Sequence, residues 1–390
     1  MNQPPRENVA FRLKAGKDLQ HADLKGLDLQ GLDLSGAKLA SADLSGARMN
    51  QVLLRGADLS GADLRHACLA EADLAEANLS RARMGGVDLR WTNLAGAVFA
   101  GASLIGVDLG GKDLRKANMA GADLRQSILD GADLSGAVLD QANLLGASME
   151  GAKLLGASLV RAVLGGASLQ RANLTGASLE DADLRWASLK HAVLERASLG
   201  RANLRGTDLS GATLAGADLR RLDLLPYDRK DVPDLRGVDL SGVVMAAVNL
   251  RGMDLSRANL SQADLRRAVL RHTRLEGANL AGADLREADL RGADLTSSTL
   301  VRADLRGSQL GEAILRGADL RDSDLTGAVL RGADLRGACL QRLDLREIDL
   351  RGADLDGADL TSANLAGADL RGARVENAWL AGADLSRLQR

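Results

Sequence analysis

The stretch GADLSGADLR (residues 56–65) contains the unit from which almost the whole chain is built. A large apolar residue recurs at every fifth position from Leu19 to Leu224 and again from Leu235 to Leu385, and 66 of these 73 positions are Leu. A small residue, usually Ala, lies two positions before each of them, a polar residue lies between, and Gly often follows two positions later. A short period of this kind takes precedence over any domain count based on length.

This period excludes a helix and favours a strand with a corner. Five residues turn a helix by about 500°, or about 140° net, so the Leu side chains would form no apolar stripe. The triplet Ala-polar-Leu instead has the two-residue alternation of an extended strand, with Ala and Leu on one face. The following Gly suits a sharp corner. We therefore predict one short side and one corner per pentapeptide, and residues 20 apart stack if four sides close a coil.

The repeat A(D/N)LxG resembles the pentapeptide-repeat proteins, and the resemblance covers about residues 17–387. It implies an all-β fold, a right-handed quadrilateral β-helix (a solenoid rod) with four sides per coil. With coils stacked about 4.8 Å apart, the chain would form about 18 coils. We also predict a short capping helix at residues 5–15, because Val9 and Leu13 share a helical face and Gly16 could end it.

The interruption LPYDRKDVPD (225–234) sets the predicted domain organisation. In the old frame, apolar positions would fall at Arg229 and Asp234, which cannot fill a dry core. We predict an N-terminal cap (1–16), a first repeat segment (17–224), a protruding loop with a one-residue frame slip (225–234), a second repeat segment stacked on the first (235–387) and a C-terminal tail (388–390). Eleven residues replace a five-residue side, which leaves six extra. A kink between two rods is the alternative.

Composition argues against catalysis. The four His all fall at corner positions and are not clustered with either Cys, and no metal-ligand spacing or phosphate-binding loop occurs. We predict no enzyme activity, no cofactor and no metal site. No apolar run approaches the length of a membrane helix and no signal peptide follows Met1, so we expect a cytoplasmic protein with no membrane contact. The net charge of −2 steers no charged partner.

Four surfaces are candidates for partner binding. One is an arginine ladder in the second segment, interrupted once by Gly311, and it comprises Arg251, Arg271, Arg291, Arg331, Arg351 and Arg371. Interleaved Asp residues should neutralise it, which makes a salt-bridged surface the alternative to a ladder for an acidic protein or a phosphate backbone. Direct nucleic-acid binding is not expected, because the ladder contains no aromatic residue.

The second surface is an apolar stripe in the first segment, formed on two adjacent faces by Val98, Val138, Val160, Ile105, Leu145 and Val163. Contiguous exposed apolar residues usually mark an interface, although scattered ones are common. The third is the loop residues Pro226, Tyr227, Asp228, Arg229, Lys230 and Asp231. The fourth is the C-terminal end, where Val375, Trp379 and Leu388 form a cap or a homodimer contact.

Lys112 is the sharpest local anomaly, because it occupies an inward position that is normally Ala. A buried unpaired ammonium is very costly. We expect its side chain to leave through a distorted corner and Thr92, one coil earlier, to accept a hydrogen bond.

Three functions are consistent with the sequence. The first is a non-catalytic scaffold that binds protein partners through these surfaces. The second comes from the resemblance, since some pentapeptide-repeat proteins mimic DNA and protect gyrase, but mimicry of that kind needs a more acidic surface. The third is an adaptor of a bacterial type VI secretion system, because GKDLQHADLKGLDLQGLDLSGAKL (16–39) is similar to the pentapeptide regions of such accessory proteins.

Overall fold

The computed structural model describes residues 18–220, 222 and 233–389, and the chain divides into two compact units, Met1–Val193 and Leu194–Arg390. Neither unit contains a continuous strand, and the described residues contain no helix. Single-residue parallel β-bridges alternate instead with two-residue turns. In the first unit the bridges run from Asp23↔Asp43 to Asn173↔Val193, and in the second from Ser198↔Asp218 to Asp369↔Gln389.

The bridges define four-sided coils. Asp43 pairs with the residue 20 positions before it, and each side takes five residues, so four sides complete one turn. The Asp43 N–H donates to Ala22 O at 3.0 Å, and the Asp43 carbonyl accepts from Leu24 N–H at 2.8 Å. A short side of this kind satisfies its main-chain groups through the coils next to it. The predicted β-helix is confirmed.

The corners explain the recurring Gly. At each corner an N–H bonds back to the carbonyl three residues earlier, as Ala22 N–H does to Leu19 O at 3.1 Å. The residue two after the central Leu has a positive φ, 64° at Gly26 and 56° at His21. A left-handed conformation costs a non-Gly residue roughly 1–2 kcal/mol. Gly is therefore favoured at this position, and the other residues found there accept strain.

The core of each unit is the column of central Leu residues with the Ala residues between them. Leu44, Leu64 and Phe99 are fully buried. Buried hydroxyls that replace Ala mostly find acceptors, as when Ser127 Oγ donates to Leu124 O at 2.7 Å. Large and small side chains alternate along each coil, which allows the columns to interdigitate.

Coil stacking continues across the interruption inside the second unit. Asp234 bridges Asp208 and Asp239 bridges Thr213, so the offset between paired residues is 26 instead of 20. The difference equals the six extra residues that the sequence contains. The loop residues Pro226 to Asp231 and the helix expected at 5–15 lie outside the described residues.

Candidate interaction surfaces

The carboxylates of outward Asp residues accept a hydrogen bond from the main-chain N–H two residues later and neutralise an Arg at that position. Asp289 Oδ1 accepts from Arg291 Nε at 2.8 Å, and its Oδ2 accepts from Arg291 Nη2 at 2.7 Å. Where Ser follows instead, the carboxylate still caps the turn, since Ser35 N–H donates to Asp33 Oδ1 at 2.9 Å. The tripeptide Asp-Leu-Arg is thus a bidentate ion pair contained within one corner.

Some of these pairs extend into chains along one face of the second unit. Arg266 Nη2 lies 2.7 Å from Asp264 Oδ2, and Arg266 Nε lies 3.7 Å from Asp284 Oδ2 on the next coil. The same arrangement repeats one coil later between Arg286, Asp284 and Asp304. Hydrogen bonding to Arg266 lowers the pKa of Asp264, and hydrogen bonding to Asp284 raises the pKa of Arg286. The face is a neutralised ladder.

The predicted arginine ladder is mostly paired in the same way. Arg291, Arg351 and Arg371 each form a bidentate pair with the Asp two residues before. Arg271 follows Val269 and has no such partner, so its Nε bonds to Asp289 Oδ2 on the next coil at 2.5 Å. The neutralised surface is therefore what most of the ladder forms.

The ladder has a recess at Gly311. It has a volume of 620 Å³, and its lining includes Arg291, Arg331, Gln309, Val329 and the acidic Glu312. Arg331 follows Val329 instead of Asp, and among the described residues no carboxylate lies within ion-pair distance of it. The sequence showed the missing Arg at position 311, but it did not show that its neighbour would be left unpaired.

The apolar stripe of the first unit is interrupted. Leu145 is 49% exposed and Ile105 is 37% exposed, whereas the four Val residues are half-buried. Asn118 bridges both Val98 and Val138, so a polar side chain separates them on their face. The residues share the predicted faces but do not form one continuous apolar surface.

Two exposed Trp residues were missed as candidates. Trp91 is 81% exposed and Trp186 is 57% exposed. Both occupy the corner position with positive φ, 58° and 60° respectively. A bulky residue in this conformation is a genuine outlier. The signal was present in the sequence, since each Trp lies two residues after a central Leu, where Gly is usual.

Lys112 lies where the inter-coil ladder of the first unit is broken. Its Nζ donates to Thr92 O at 3.1 Å, while the Thr92 hydroxyl donates to Leu69 O at 2.8 Å. Burial lowers the pKa of Lys112, against the opposing effects of Asp108 and Asp88. Within the described part of this unit, the inter-coil bonds expected from the N–H groups of residues 89, 91 and 94 are not formed. The ammonium is therefore accommodated by partial separation of two coils.

The last described coil leaves its apolar interior open. Trp379 is 66% exposed, Val375 is exposed and Leu388 is half-buried. Val375 and Leu388 line a 350 Å³ recess whose other lining residues are mainly Leu from the last two coils. This surface is apolar in both its floor and its rim.

The described residues carry no cluster typical of a metal centre. Among them, no group of three or more His, Cys, Asp and Glu side chains could hold a metal ion. None of the described residues belongs to a helix with the length and hydropathy needed to cross a membrane.

Comparison with known proteins gives the class to which this fold belongs. The family model described as pentapeptide repeats matches residues 18–224 and 234–387, apart from residue 272. The chain belongs to the pentapeptide-repeat family. A comparison with curated proteins found no match.

Several solved structures are similar over part of the chain. One is HetL, involved in heterocyst differentiation regulation in the cyanobacterium Nostoc sp. strain PCC 7120, with 35% identity, 60% of this chain and 88% of that chain covered, and a TM-score of 0.23. Another is alr5209 from Nostoc PCC 7120, with 35% identity, 32% and 100% covered, and a TM-score of 0.22. QnrB1, a plasmid-mediated fluoroquinolone resistance protein, has 19% identity, 58% and 90% covered, and a TM-score of 0.29.

Proposed function

We propose that this protein is a non-catalytic scaffold that binds protein partners through side chains displayed on a regular β-helical backbone. The observation that carries the proposal is Trp91, which is 81% exposed and held in a left-handed corner. Neither burial nor backbone preference accounts for an aromatic residue there, and exposed Trp is characteristic of the centres of protein interfaces. We expect the protein to act in the cytoplasm, where its free Cys68 and Cys339 would stay reduced.

Site-specific photo-crosslinking tests this proposal. A photoreactive amino acid replaces Trp91 or Trp186 in living host cells, and crosslinked proteins are identified by mass spectrometry. The matched control carries the same amino acid at His191, an exposed corner residue with a similar φ of 55°. A defined partner captured from the Trp positions and not from the control supports the scaffold. Equal capture at all three positions, or none, contradicts it.

The open apolar end of the second unit supports a second contact, a homodimer through Val375, Trp379 and Leu388. Burying this surface against a copy of itself would remove Trp379 and the recess from water. Sedimentation at several concentrations tests it. A dimer in the native protein that Trp379→Glu converts to a monomer supports the contact, and a monomer at all concentrations refutes it.

The alternatives from family resemblance are separable by assay. DNA mimicry would require a strongly acidic surface, whereas this chain has a net charge of −2 and its Arg residues largely pair with Asp. Inhibition of gyrase supercoiling, or its protection, by the purified protein would favour that role over the scaffold. Crosslinking to secretion components would identify an adaptor of a type VI secretion system.

A further inference from the structure

The recess at Gly311 places a guanidinium group, unpaired among the described residues, beside an open volume. On neighbouring coils of this face, Asp289 neutralises Arg291 and also bonds to Arg271, and Asp349 neutralises Arg351. Between these two neutralised positions lies Arg331, which is exposed and has no carboxylate within ion-pair distance among the residues of this described segment. Glu312 also lines the recess, but its carboxylate is not within ion-pair distance of Arg331.

The residues around Arg331 explain why its guanidinium group has no ion-pair partner among the described residues. The outward position before it is Val329, so Arg331 lacks the Asp that neutralises Arg291 and Arg351. Asp349 on the next coil corresponds to the Asp289 that Arg271 reaches, but Asp349 pairs with Arg351 and not with Arg331. The residue that bridges Val329 one coil earlier is Gln309. Gln309 Nε2 makes only a long contact of 3.5 Å, to Gly307 O, and remains available as a donor. Because position 311 has no side chain, both donor groups border an open volume of 620 Å³.

We propose that this recess binds a single carboxylate, presented by an acidic side chain of a protein partner. Arg331 would donate a bidentate pair of charge-assisted hydrogen bonds, the arrangement that guanidinium groups form with carboxylates throughout this surface. Gln309 would donate a further hydrogen bond, and Val329 would exclude water from one side. The identity of the partner rests on the proposed scaffold function, but binding of the carboxylate itself does not.

A single anion fits this recess better than a nucleic-acid strand. The flanking guanidinium groups of Arg291 and Arg351 are already bonded to Asp289 and Asp349. With coils about 4.8 Å apart, a line of phosphates would pass close to both carboxylates and be repelled. The lining of the recess includes the imidazole of His272 but no Phe, Tyr or Trp on which successive bases could stack.

Gly311 permits an unusual control, because its backbone does not require Gly. Its φ is outside the left-handed range, and an added Cβ would lie 3.6 Å from Arg331 O and 3.8 Å from Arg291 Cγ, which are ordinary contacts. Gly311→Leu therefore fills the recess without changing charge and without straining the fold. Arg331→Gln removes the cation and leaves the recess open.

The experiment uses the full chain with ¹³C-labelled Val methyl groups and glutarate as the probe. Titration is followed by NMR through the methyl groups of Val329, which line the recess. We expect saturable shifts. Arg331→Gln should weaken the apparent affinity about tenfold or more because it removes the charge-assisted hydrogen bonds, and Gly311→Leu should weaken it by a similar factor because it fills the recess. Arg251→Gln is the matched control, since Arg251 belongs to the same ladder but does not line the recess.

Three outcomes would overturn the inference. These are no shift of Val329 at a large excess of glutarate, an equal loss in Arg251→Gln, or binding of a single-stranded oligonucleotide, in place of glutarate, that depends on Arg331. Retained glutarate binding together with failed crosslinking at Trp91 would reject the scaffold and leave the carboxylate site standing. Successful crosslinking at Trp91 without glutarate binding would support the scaffold and reject the carboxylate site.

Discussion

The ammonium of Lys112 donates a 3.1 Å hydrogen bond to the main-chain carbonyl of Thr92 on the preceding coil. At the corresponding place elsewhere, that carbonyl accepts a main-chain N–H, as Ala22 O accepts from Asp43 N–H at 3.0 Å. In the first unit the Asp113 N–H, which would fill this role, does not bond to Thr92 O. The Lys112 side chain has therefore replaced one main-chain hydrogen bond between the two coils, and in the described part of the first unit the inter-coil hydrogen bonds from the N–H groups of residues 89, 91 and 94 are missing as well.

Replacing Lys112 with Ala should stabilise the first unit. Ala is the usual inward residue, so Lys112→Ala removes a desolvated cation and allows the two coils to pair again. We expect the free energy of unfolding to rise by about 1 kcal/mol, measured by thermal and denaturant unfolding. Lys153→Ala, which changes an exposed Lys at an outward position, should have little effect. A loss of stability in Lys112→Ala would show that the ammonium supports the fold.

The stabilisation by Lys112→Ala should depend on pH. Burial lowers the pKa of Lys112 from its ordinary value of 10.5, so the folded state binds its proton less tightly than the unfolded state. The resulting penalty is fully present below the folded pKa and disappears as pH rises through the folded pKa towards 10.5. The difference in stability between Lys112→Ala and the native protein should therefore shrink at alkaline pH. A constant difference would indicate that packing, not charge, causes it.

Asp334 should contribute stability through its charge more than through its turn cap. It accepts hydrogen bonds from Arg336 and, at 2.5 Å, from Arg316, and these bonds lower its pKa to about 2. Since the folded pKa is depressed, the contribution is present above the unfolded value near 3.8 and is lost as pH falls towards 2.

Asp334→Asn separates these two roles, because Asn also caps this turn, as Asn249 Oδ1 does for Arg251 N–H at 3.1 Å. We expect Asp334→Asn to lower the free energy of unfolding by up to about 1 kcal/mol at neutral pH, the usual limit for a partly exposed ion pair. The effect should shrink as pH falls towards the folded pKa of about 2 and vanish below it, where the side chain is neutral in both proteins. Asp322→Asn, at an exposed corner, is the control.

Trp91→Gly should stabilise the fold and weaken partner binding. The corner at Trp91 has a φ of 58°, which Gly adopts without strain, so we expect a gain of about 1 kcal/mol in the free energy of unfolding. Trp91→Ala keeps the strained backbone and should leave stability nearly unchanged while removing the same exposed ring. Loss of partner binding in both variants, with stabilisation only in the Gly variant, would distinguish recognition from folding. Unchanged binding in both would remove Trp91 from the interface.

Deletion of Tyr227 to Asp231 should leave the second unit folded. The bridges Asp208↔Asp234 and Thr213↔Asp239 form outside the deleted residues. We expect an unchanged circular dichroism spectrum and weaker capture of the partner. Unfolding of the variant would instead assign a structural role to the segment.

The sequence was sufficient to predict the core and most of the surface pairing, because both follow from the period. The repeat places a Leu such as Leu64 in the buried column of central Leu residues, and it places an Asp two residues before an Arg such as Arg291. The exceptions depend on choices between coils, which the period does not encode. Arg271 bonds to Asp289 one coil later, Arg331 has no ion-pair partner among the described residues, and Lys112 bonds to the main chain of the preceding coil, because each outcome depends on groups that meet only in the folded unit.

The bridges that flank the interruption have a practical consequence. Leu214 N–H bonds to Asp239 O at 2.8 Å and Gly216 N–H to Ser241 O at 2.7 Å, the same lengths as in coils with no added residues. Register therefore depends on which residues face each other and not on how much chain connects them. Residues 225–231 are therefore a suitable insertion site for a foreign peptide. The bridges Asp208↔Asp234 and Thr213↔Asp239 would keep their pairing while the peptide is displayed.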